Sequence, residues 1–152
     1  MADLSKDERY TPRVLVEALH REFNFTVDAA SCPVTPAAQV IGRFWDKDTD
    51  GLTQDWDPEV VWCNPPFSAV KLWVKKAHES KGTVVMLIPA NRTEQGFWQE
   101  YIEPHRDRGG VLTTRFIAKR TVFGTPDAPE GKQWNSSAPF GCVLLIWDRR
   151  QE

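Results

Sequence analysis

Residues 59–68 read EVVWCNPPFS, and this stretch decides how the fold is interpreted. The run 59–63 is short, apolar and rich in β-branched residues, which is typical of a strand. Ser68 then begins a segment whose apolar residues recur at helical spacing, namely Val70, Trp73, Val74 and Ala77. Asn64-Pro65-Pro66-Phe67 joins the two. A strand that passes directly into a helix in this way predicts an α/β protein.

Working outward, hydrophobic periodicity predicts further alternation of helices and strands. The predicted helices cover residues 11–22, 68–81 and 96–102, and the predicted strands cover residues 23–27, 59–63, 83–88, 111–118 and 142–147. Thr11 is the predicted N-cap of the first helix. Residues 31–52 are expected to be loop, with no continuous helix and a short strand at 40–45. The alternation predicts a mostly parallel sheet with helices on both faces and a C-terminal antiparallel hairpin.

Length and charge limit the function classes. The 152 residues and 17.4 kDa suit one domain, residues 1–152. A net charge of -2 argues against a bulk polyanion binder, so any contact with nucleic acid must use a local basic face. Three cysteines without zinc spacing indicate reduced thiols in the cytoplasm and no metal site. Residues 1–10 have no apolar segment, so we do not expect them to be a signal peptide. The longest apolar runs, near 84–88 and 143–147, are far shorter than the ~18 residues that a membrane span needs.

The tryptophans and the basic residues each leave two interpretations open. The seven tryptophans pack in the core or, where exposed, stack on bases. Arg115, Lys119 and Arg120 form either a solvated strand face or a phosphate-contacting stripe, and the long loop 124–139 that follows them favours the stripe. That loop and strand are the predicted DNA-facing edge, whereas Lys71, Lys75 and Lys76 are interpreted as a solvated helix face.

The residues 64–67 have the chemistry of an amine-binding loop. Two consecutive prolines hold the chain extended and remove two N–H donors, so the carbonyls of Asn64 and Pro65 are available as acceptors. The side chain of Asn64 adds a third carbonyl, and Phe67 can stack on the ring that carries the amine. The alternative is a rigid turn between strand and helix.

A second candidate site follows the first predicted strand, at Asp28-Ala29-Ala30. Ligands of open α/β sheets bind at the carboxyl ends of strands, where residues 28–30 and 64–67 both fall. Taken alone, Asp28 is equally typical of a turn former or helix cap. The acidic residues 46–50 are more typical of a solvated loop than of a site.

The segment VWCNPPFS resembles the D/N/S-P-P-Y/F motif of amino-methyltransferases that use S-adenosylmethionine. Six further segments occur in the matching order: YTP (10–12), VDAA (27–30), DGLTQDW (50–56), IPA (88–90), FIAKRTVF (116–123) and SAPFGCVLLIW (137–147). Together they are similar to the short phage-type Dam family of DNA N6-adenine methyltransferases. The resemblance implies a Rossmann-like, S-adenosylmethionine-dependent methyltransferase fold.

The resemblance also implies roles for particular residues. The catalytic motif corresponds to Asn64, Pro65, Pro66 and Phe67. Asn64 and Pro65 are implied to bind the target amine, and Phe67 is implied to stack on the flipped base. The positions implied to contact the cofactor are Tyr10, Thr11, Asp28, Ala29, Ala30, Asp50, Asp55 and Trp56. One departure is the turn after the first strand, which lacks the glycines of the usual F-x-G-x-G loop.

The implied function is transfer of a methyl group from S-adenosylmethionine to N6 of a flipped-out adenine in duplex DNA. The implied protein is cytoplasmic, free of metal and membrane contacts, and a monomer or weak homodimer. Two alternatives stay open at this point. One is a protein glutamine-N5 methyltransferase, because the same motif can hold an amide NH2 group. The other is a catalytically inactive DNA-binding relative.

Overall fold

A computed structural model describes residues 10–118 and 141–150, which form a mixed α/β fold around one five-stranded sheet. The strands are β1 (Val27–Asp28), β2 (Val60–Cys63), β3 (Thr83–Pro89), β4 (Leu112–Phe116) and β5 (Cys142–Trp147). The α-helices are α1 (Arg13–Phe23), α2 (Pro36–Ile41) and α3 (Val70–Glu79). Short 3₁₀ turns at Gly51–Thr53 and Phe67–Ala69 and a π-helical turn at Trp98–Ile102 complete the elements.

The sheet has the strand order β1-β2-β3-β5-β4. β1, β2 and β3 are parallel, and β5 is antiparallel to both β3 and β4. The parallel start and the antiparallel C-terminal pair are therefore confirmed. The position of β5 between β3 and β4 has a simple cause: β5 is apolar and buried along its whole length, whereas β4 carries polar, exposed residues and takes the edge.

The central strands are covered on both faces, as the sequence predicted. Every residue of β3 and of β5 is buried, and successive strand residues point to opposite faces. The predicted apolar face of α3 is also confirmed, because Val70, Trp73, Val74 and Ala77 are its buried residues. The sheet and this helix thus form the platform from which the residues 64–67 emerge.

Two predictions around α1 are wrong. Thr11 is not the N-cap, since the helix starts at Arg13 and Pro12 occupies the N-cap without a side-chain hydrogen bond. The strand predicted at 23–27 shrinks to Val27–Asp28, because Phe23 still belongs to α1. Asn24 ends the helix in the left-handed region, with φ of 57°, and its N–H donates to the His20 carbonyl.

The segment 31–52 holds more helix than predicted. Thr35 caps α2 by accepting a hydrogen bond from the Ala38 N–H at 3.1 Å, and Gly42 ends it at φ of 83°. The strand expected at 40–45 is reduced to one parallel bridge between Phe44 and Asp28, because residues 40 and 41 are the last of α2.

Two further helix predictions need correction. Ser68 lies inside the 3₁₀ turn and Ala69 is the N-cap of α3, so Ser68 does not cap that helix. The helix predicted at 96–102 is mainly a π-helical turn, Trp98–Ile102. The loop 124–139 lies outside the described residues.

The core interpretation of tryptophan is confirmed wherever the structure describes one. Six are buried: Trp45, Trp56, Trp62, Trp73, Trp98 and Trp147. Trp134 lies outside the described residues. Base stacking by the six would need an exposed ring face.

Candidate active site

A cavity of about 400 Å³ opens where β1 and β2 end, at the carboxyl edge of the parallel strands. This volume lies within the ~300–1,000 Å³ typical of cofactor and small-molecule sites. Its lining residues are Tyr10, Thr11, Asp28, Ala29, Ala30, Ser31, Cys32, Pro33, Thr35, Ala37, Trp45, Asp46, Lys47, Asp48, Asp50, Gly51, Trp62, Asn64 and Trp73. The two strand ends that the sequence singled out therefore contribute to one cavity.

Asp28 is the most strongly perturbed acid in the cavity wall. Its side chain is almost fully buried, with 2% of the residue exposed, and Oδ1 accepts a hydrogen bond from the Ala30 N–H at 3.2 Å. Burial raises the pKa of Asp28 to about 7, against the lowering effect of hydrogen bonds from Ser31 and Ala30. The pKa of Asp28 therefore lies near neutral pH, far above that of an exposed aspartate.

The predicted catalytic loop meets the cavity through its first residue. Asn64 lines the cavity, and its side-chain Oδ1 is buried. Pro65, Pro66 and Phe67 are not among the lining residues. Pro65 is buried, and Phe67 is only 5% exposed. Contact between Phe67 and a flipped base stays a prediction, and it requires this ring to become accessible when DNA binds.

The segment before α1 supplies one wall of the cavity. The Tyr10 hydroxyl lies 3.6 Å from the Cys32 sulfur, which ties the start of the described chain to the turn after β1. The Thr11 hydroxyl oxygen is buried and lacks a hydrogen-bond partner among residues 10–118 and 141–150. A buried hydroxyl without a partner is costly, and Thr11 is also one of the residues that line the cavity.

Gly51 lies directly against the turn 28–30, which itself contains no glycine. A Cβ atom on Gly51 would lie 2.1 Å from the Ala29 carbonyl oxygen, so only glycine fits at this close approach. Asp50 precedes it at φ of 59°, and its Oδ1 accepts a hydrogen bond from the Leu52 N–H at 3.1 Å. The DGL segment therefore packs directly on the turn 28–30.

Asp55 and Trp56, at the other end of the DGLTQDW segment, do not line the cavity. Asp55 is exposed and accepts a hydrogen bond from the Asp57 N–H at 2.9 Å. Trp56 is buried, and neither residue is among those that line the cavity. The indole N–H of Trp56 donates to the Gly51 carbonyl, so it supports the turn that lines the cavity. Direct contact of Asp55 or Trp56 with a cofactor stays a prediction.

Sequence reasoning missed the residues Trp45, Asp46, Lys47 and Asp48, which also line the cavity. The acidic residues 46–50 are the signal for three of them, although their composition is more typical of a solvated loop. The Phe44 bridge to Asp28 explains the difference, because it brings the chain alongside β1 and directs residues 45–48 to the same edge. Asp46 accepts hydrogen bonds from the N–H groups of Asp48 and Thr49, and those from Thr49 chiefly lower its pKa.

The predicted DNA-facing stripe is only partly described. Arg115 forms a two-point ion pair with Glu22, with N–O distances of 2.8 and 2.9 Å, so its guanidinium is engaged within the protein. Lys119 and Arg120 lie outside the described residues, as does the loop 124–139. Lys71 and Lys75 are exposed on α3, and Lys76 is half-buried.

Among the residues that the structure describes, no group of three or more His, Cys, Asp or Glu side chains could hold a metal ion. No helix of residues 10–118 and 141–150 is long and apolar enough to cross a bilayer.

The fold and the site together define an α/β protein with a ligand cavity at the carboxyl edge of its parallel strands, beside an Asn-Pro-Pro-Phe loop. A family model described as DNA N-6-adenine-methyltransferase (Dam) matches residues 1–151, and the chain belongs to that family. The resemblance noted in the sequence is thereby confirmed.

A relative from Escherichia phage T1, a DNA N-6-adenine-methyltransferase, is 30% identical to this chain over 100 residues. The matched stretch covers 62% of this chain and 41% of the phage protein. The similarity thus extends over less than half of the length of that relative.

Proposed function

We propose that this protein transfers a methyl group from S-adenosylmethionine to N6 of adenine in duplex DNA. The observation that carries the proposal is that Asp28 and Asn64 both line one cavity. The first belongs to the candidate cofactor turn and the second to the candidate amine-binding loop. Membership of the DNA N-6-adenine-methyltransferase family supports DNA as the substrate, rather than a protein glutamine side chain.

The cavity residues fit the proposed cofactor. Four aspartates line the cavity against one lysine, Lys47, and this acidic excess favours a ligand that carries positive charge. The aspartates are Asp28, Asp46, Asp48 and Asp50. The buried Thr11 hydroxyl offers a hydrogen-bonding group that no described residue satisfies. Asp28 would hold the methionine part, and the segments at 10–11 and 50–51 would line the remainder. When bound, the cofactor supplies an electrophilic methyl group.

The protein's own contribution is to bind and orient the target amine. The side-chain carbonyl of Asn64 and the backbone carbonyl of Pro65 accept hydrogen bonds from the NH2 group, which directs the nitrogen lone pair toward the cavity. Pro65 and Pro66 carry no N–H donors that would compete for these acceptors. Orientation and proximity supply most of the acceleration. No strong base is needed, because the nitrogen becomes strongly acidic once it carries the methyl group and then releases its extra proton to water.

The adenine must leave the base stack to reach this loop, which costs on the order of a few kcal/mol. Stacking on Phe67 would offset part of that cost once the ring is accessible. Residues 1–152 are proposed to act as a single methyltransferase domain of the Rossmann-like type, as a monomer or weak homodimer, without a metal ion. The phage relative favours a bacterial host cytoplasm as the location.

Incorporation of a tritiated methyl group tests the proposal. The purified protein is incubated with labelled S-adenosylmethionine and either unmethylated duplex DNA or glutamine-containing peptides. We expect label in DNA only, and N6-methyladenine on nucleoside analysis. Label in peptide would favour the glutamine-N5 alternative. Cofactor binding without label in either acceptor would identify a catalytically inactive relative.

A further inference from the structure

Arg92 makes a contact that the proposed mechanism does not yet use. It follows β3, and its Nη1 donates a hydrogen bond to the backbone carbonyl oxygen of Phe67 at 2.6 Å. The two residues are separated by 25 positions in the chain. This hydrogen bond joins the segment after β3 to the last residue of the loop 64–67.

The neighbouring strands explain why these two segments meet. β2 and β3 are parallel and paired, so both loops leave the sheet at the same carboxyl edge. Arg92 is half-buried beside this edge, and its carbonyl accepts a hydrogen bond from the Gln95 N–H, which forms a turn. The guanidinium is therefore held close to the candidate catalytic loop by local structure as well as by the Phe67 carbonyl.

The guanidinium of Arg92 has N–H donors that can bind a second group. Arginine carries five N–H donors, and one of them serves Phe67. Four other arginines pair with carboxylates, namely Arg43, Arg106, Arg115 and Arg150. Arg92 has no such carboxylate partner within the part of the chain that the structure describes. A cation left without an acidic partner next to a loop that is to receive a nucleotide has the chemistry of a phosphate ligand.

The low net charge also favours a local cation such as Arg92 as a DNA contact. The protein has a net charge of -2, so DNA must be held by local cations rather than by the whole surface. Arg115 is engaged by Glu22 and is therefore a poor candidate. Lys71, on the first turn of α3 just after the loop, is exposed and is a second cation at this side.

We infer that Arg92 is a positioning residue that couples DNA binding to the catalytic loop. One N–H group holds the Phe67 carbonyl, and the remaining groups bind a backbone phosphate beside the target adenine. The inference rests on the proposed DNA substrate. Binding of the phosphate fixes the guanidinium, and the guanidinium in turn fixes the loop that presents Asn64 and Pro65.

Two variants separate the charge of Arg92 from its geometry. Arg92→Gln removes the charge but keeps an N–H donor, so the slope of log K against log salt for duplex DNA should fall by about 0.9. Arg92→Lys keeps the charge but loses the planar fork that can serve two acceptors. Its salt slope should stay at the wild-type value, while kcat falls roughly ten- to hundredfold because the loop is misplaced.

Arg108→Gln is the matched control, because it removes the same charge. Arg108 is exposed and precedes β4. Because β4 runs in the same direction as β3, Arg108 lies at the amino ends of these strands, away from the candidate site at their carboxyl ends. It should bind DNA and turn over like the wild type. All variants should keep the wild-type affinity for S-adenosylmethionine.

Each outcome decides one part of the inference. A salt slope for Arg92→Gln equal to that of Arg108→Gln would overturn the phosphate contact. A wild-type kcat for Arg92→Lys would overturn the coupling to the loop. If the unmodified protein itself neither binds nor methylates duplex DNA, the proposed function fails as well, and that result is seen before any variant is compared.

Discussion

The indole N–H of Trp56 donates a hydrogen bond to the carbonyl oxygen of Gly51 at 2.8 Å, and so connects the two ends of the DGLTQDW segment. Trp56 also packs against Trp73, with ring centroids 6.2 Å apart. Gly51 in turn lies against the Ala29 carbonyl, in the wall of the cavity. A buried aromatic ring, a glycine and the turn after β1 thus form one packed unit that shapes the candidate cofactor site.

Gly51→Ala should disrupt this unit. The new Cβ would lie 2.1 Å from the Ala29 carbonyl oxygen, so one of the two backbone segments must move. We expect a loss of about 1–3 kcal/mol in the free energy of unfolding, the usual scale of overpacking, and weaker cofactor binding. Thermal melting and calorimetric titration with S-adenosylmethionine measure the two effects.

Gly96→Ala is the control for that experiment. No heavy atom outside the local chain lies within 4 Å of a Cβ built at this position. Cofactor affinity should therefore remain at the wild-type value, and the free energy of unfolding should stay the same or rise by up to about 1 kcal/mol, because alanine restricts the unfolded chain. If Gly51→Ala behaves like Gly96→Ala, the close approach is not required.

Asp28→Asn should change how stability depends on pH. Burial raises the pKa of Asp28 from an ordinary 3.8 to about 7, so between these values the folded state retains a proton that the unfolded chain releases. The stability contributed by this proton is complete below pH 3.8 and is lost as pH rises through about 7. The variant should therefore gain stability over the wild type at pH 8 compared with pH 5, as melting curves at both values would record.

Cofactor binding should respond in the opposite sense. An ionised Asp28 attracts the positive charge of the cofactor, so wild-type affinity should rise as pH increases through about 7. Asp28→Asn should bind more weakly and without this rise. Parallel pH profiles for the two proteins would argue against a contact between Asp28 and the cofactor.

Asn64→Ala should separate turnover from cofactor affinity. Removing the side-chain carbonyl leaves the target amine poorly oriented, so kcat should fall roughly a hundredfold. Affinity for S-adenosylmethionine should not change, because Asn64 is assigned to the amine. Asn64→Asp, which keeps an oxygen acceptor, should retain part of the activity in steady-state assays. Wild-type turnover of Asn64→Ala would remove this residue from the mechanism.

Phe67 allows stability and base stacking to be told apart. The ring is buried, so Phe67→Ala should cost about 3–5 kcal/mol of stability. Phe67→Trp should also lower the melting temperature, because the site is packed. If stacking dominates instead, Phe67→Trp keeps both stability and DNA affinity, and Phe67→Ala loses about 1–3 kcal/mol of binding. Melting curves measured beside DNA titrations distinguish the two results.

Arg115→Ala should leave the salt dependence of DNA binding unchanged. Its guanidinium is paired with Glu22 on the protein, and both side chains are nearly half exposed. The pair contributes about 1 kcal/mol or less to stability at such exposure. Binding isotherms at several salt concentrations test this expectation, and a slope lowered by about 0.9 would return Arg115 to the DNA surface.

Much of the fold could be predicted from the sequence, because the patterns that indicate strands and helices are local. The continuous apolar runs at 60–63, 83–89 and 142–147 are strands whose neighbours on both faces are apolar, and their residue content alone indicates this. The helix 36–41 also had local signals, Thr35 before Pro36 and Gly42 after it, but acidic and proline-rich surroundings obscured them. Helix ends were less predictable, because Phe23 and Asn24 suit either a strand or a helix terminus.

The sequence by itself determined that the ends of β1 and β2 carry the candidate site, since parallel strands direct their carboxyl ends to one edge. Only the tertiary structure decided which distant residues complete it. Three contacts join segments that are far apart in the chain. They are the close approach of Gly51 to Ala29, the hydrogen bond from Arg92 to Phe67 and the ion pair between Glu22 and Arg115. Local periodicity cannot encode such pairs, because they depend on how the elements pack, and the raised pKa of Asp28 likewise arises from burial that packing alone creates.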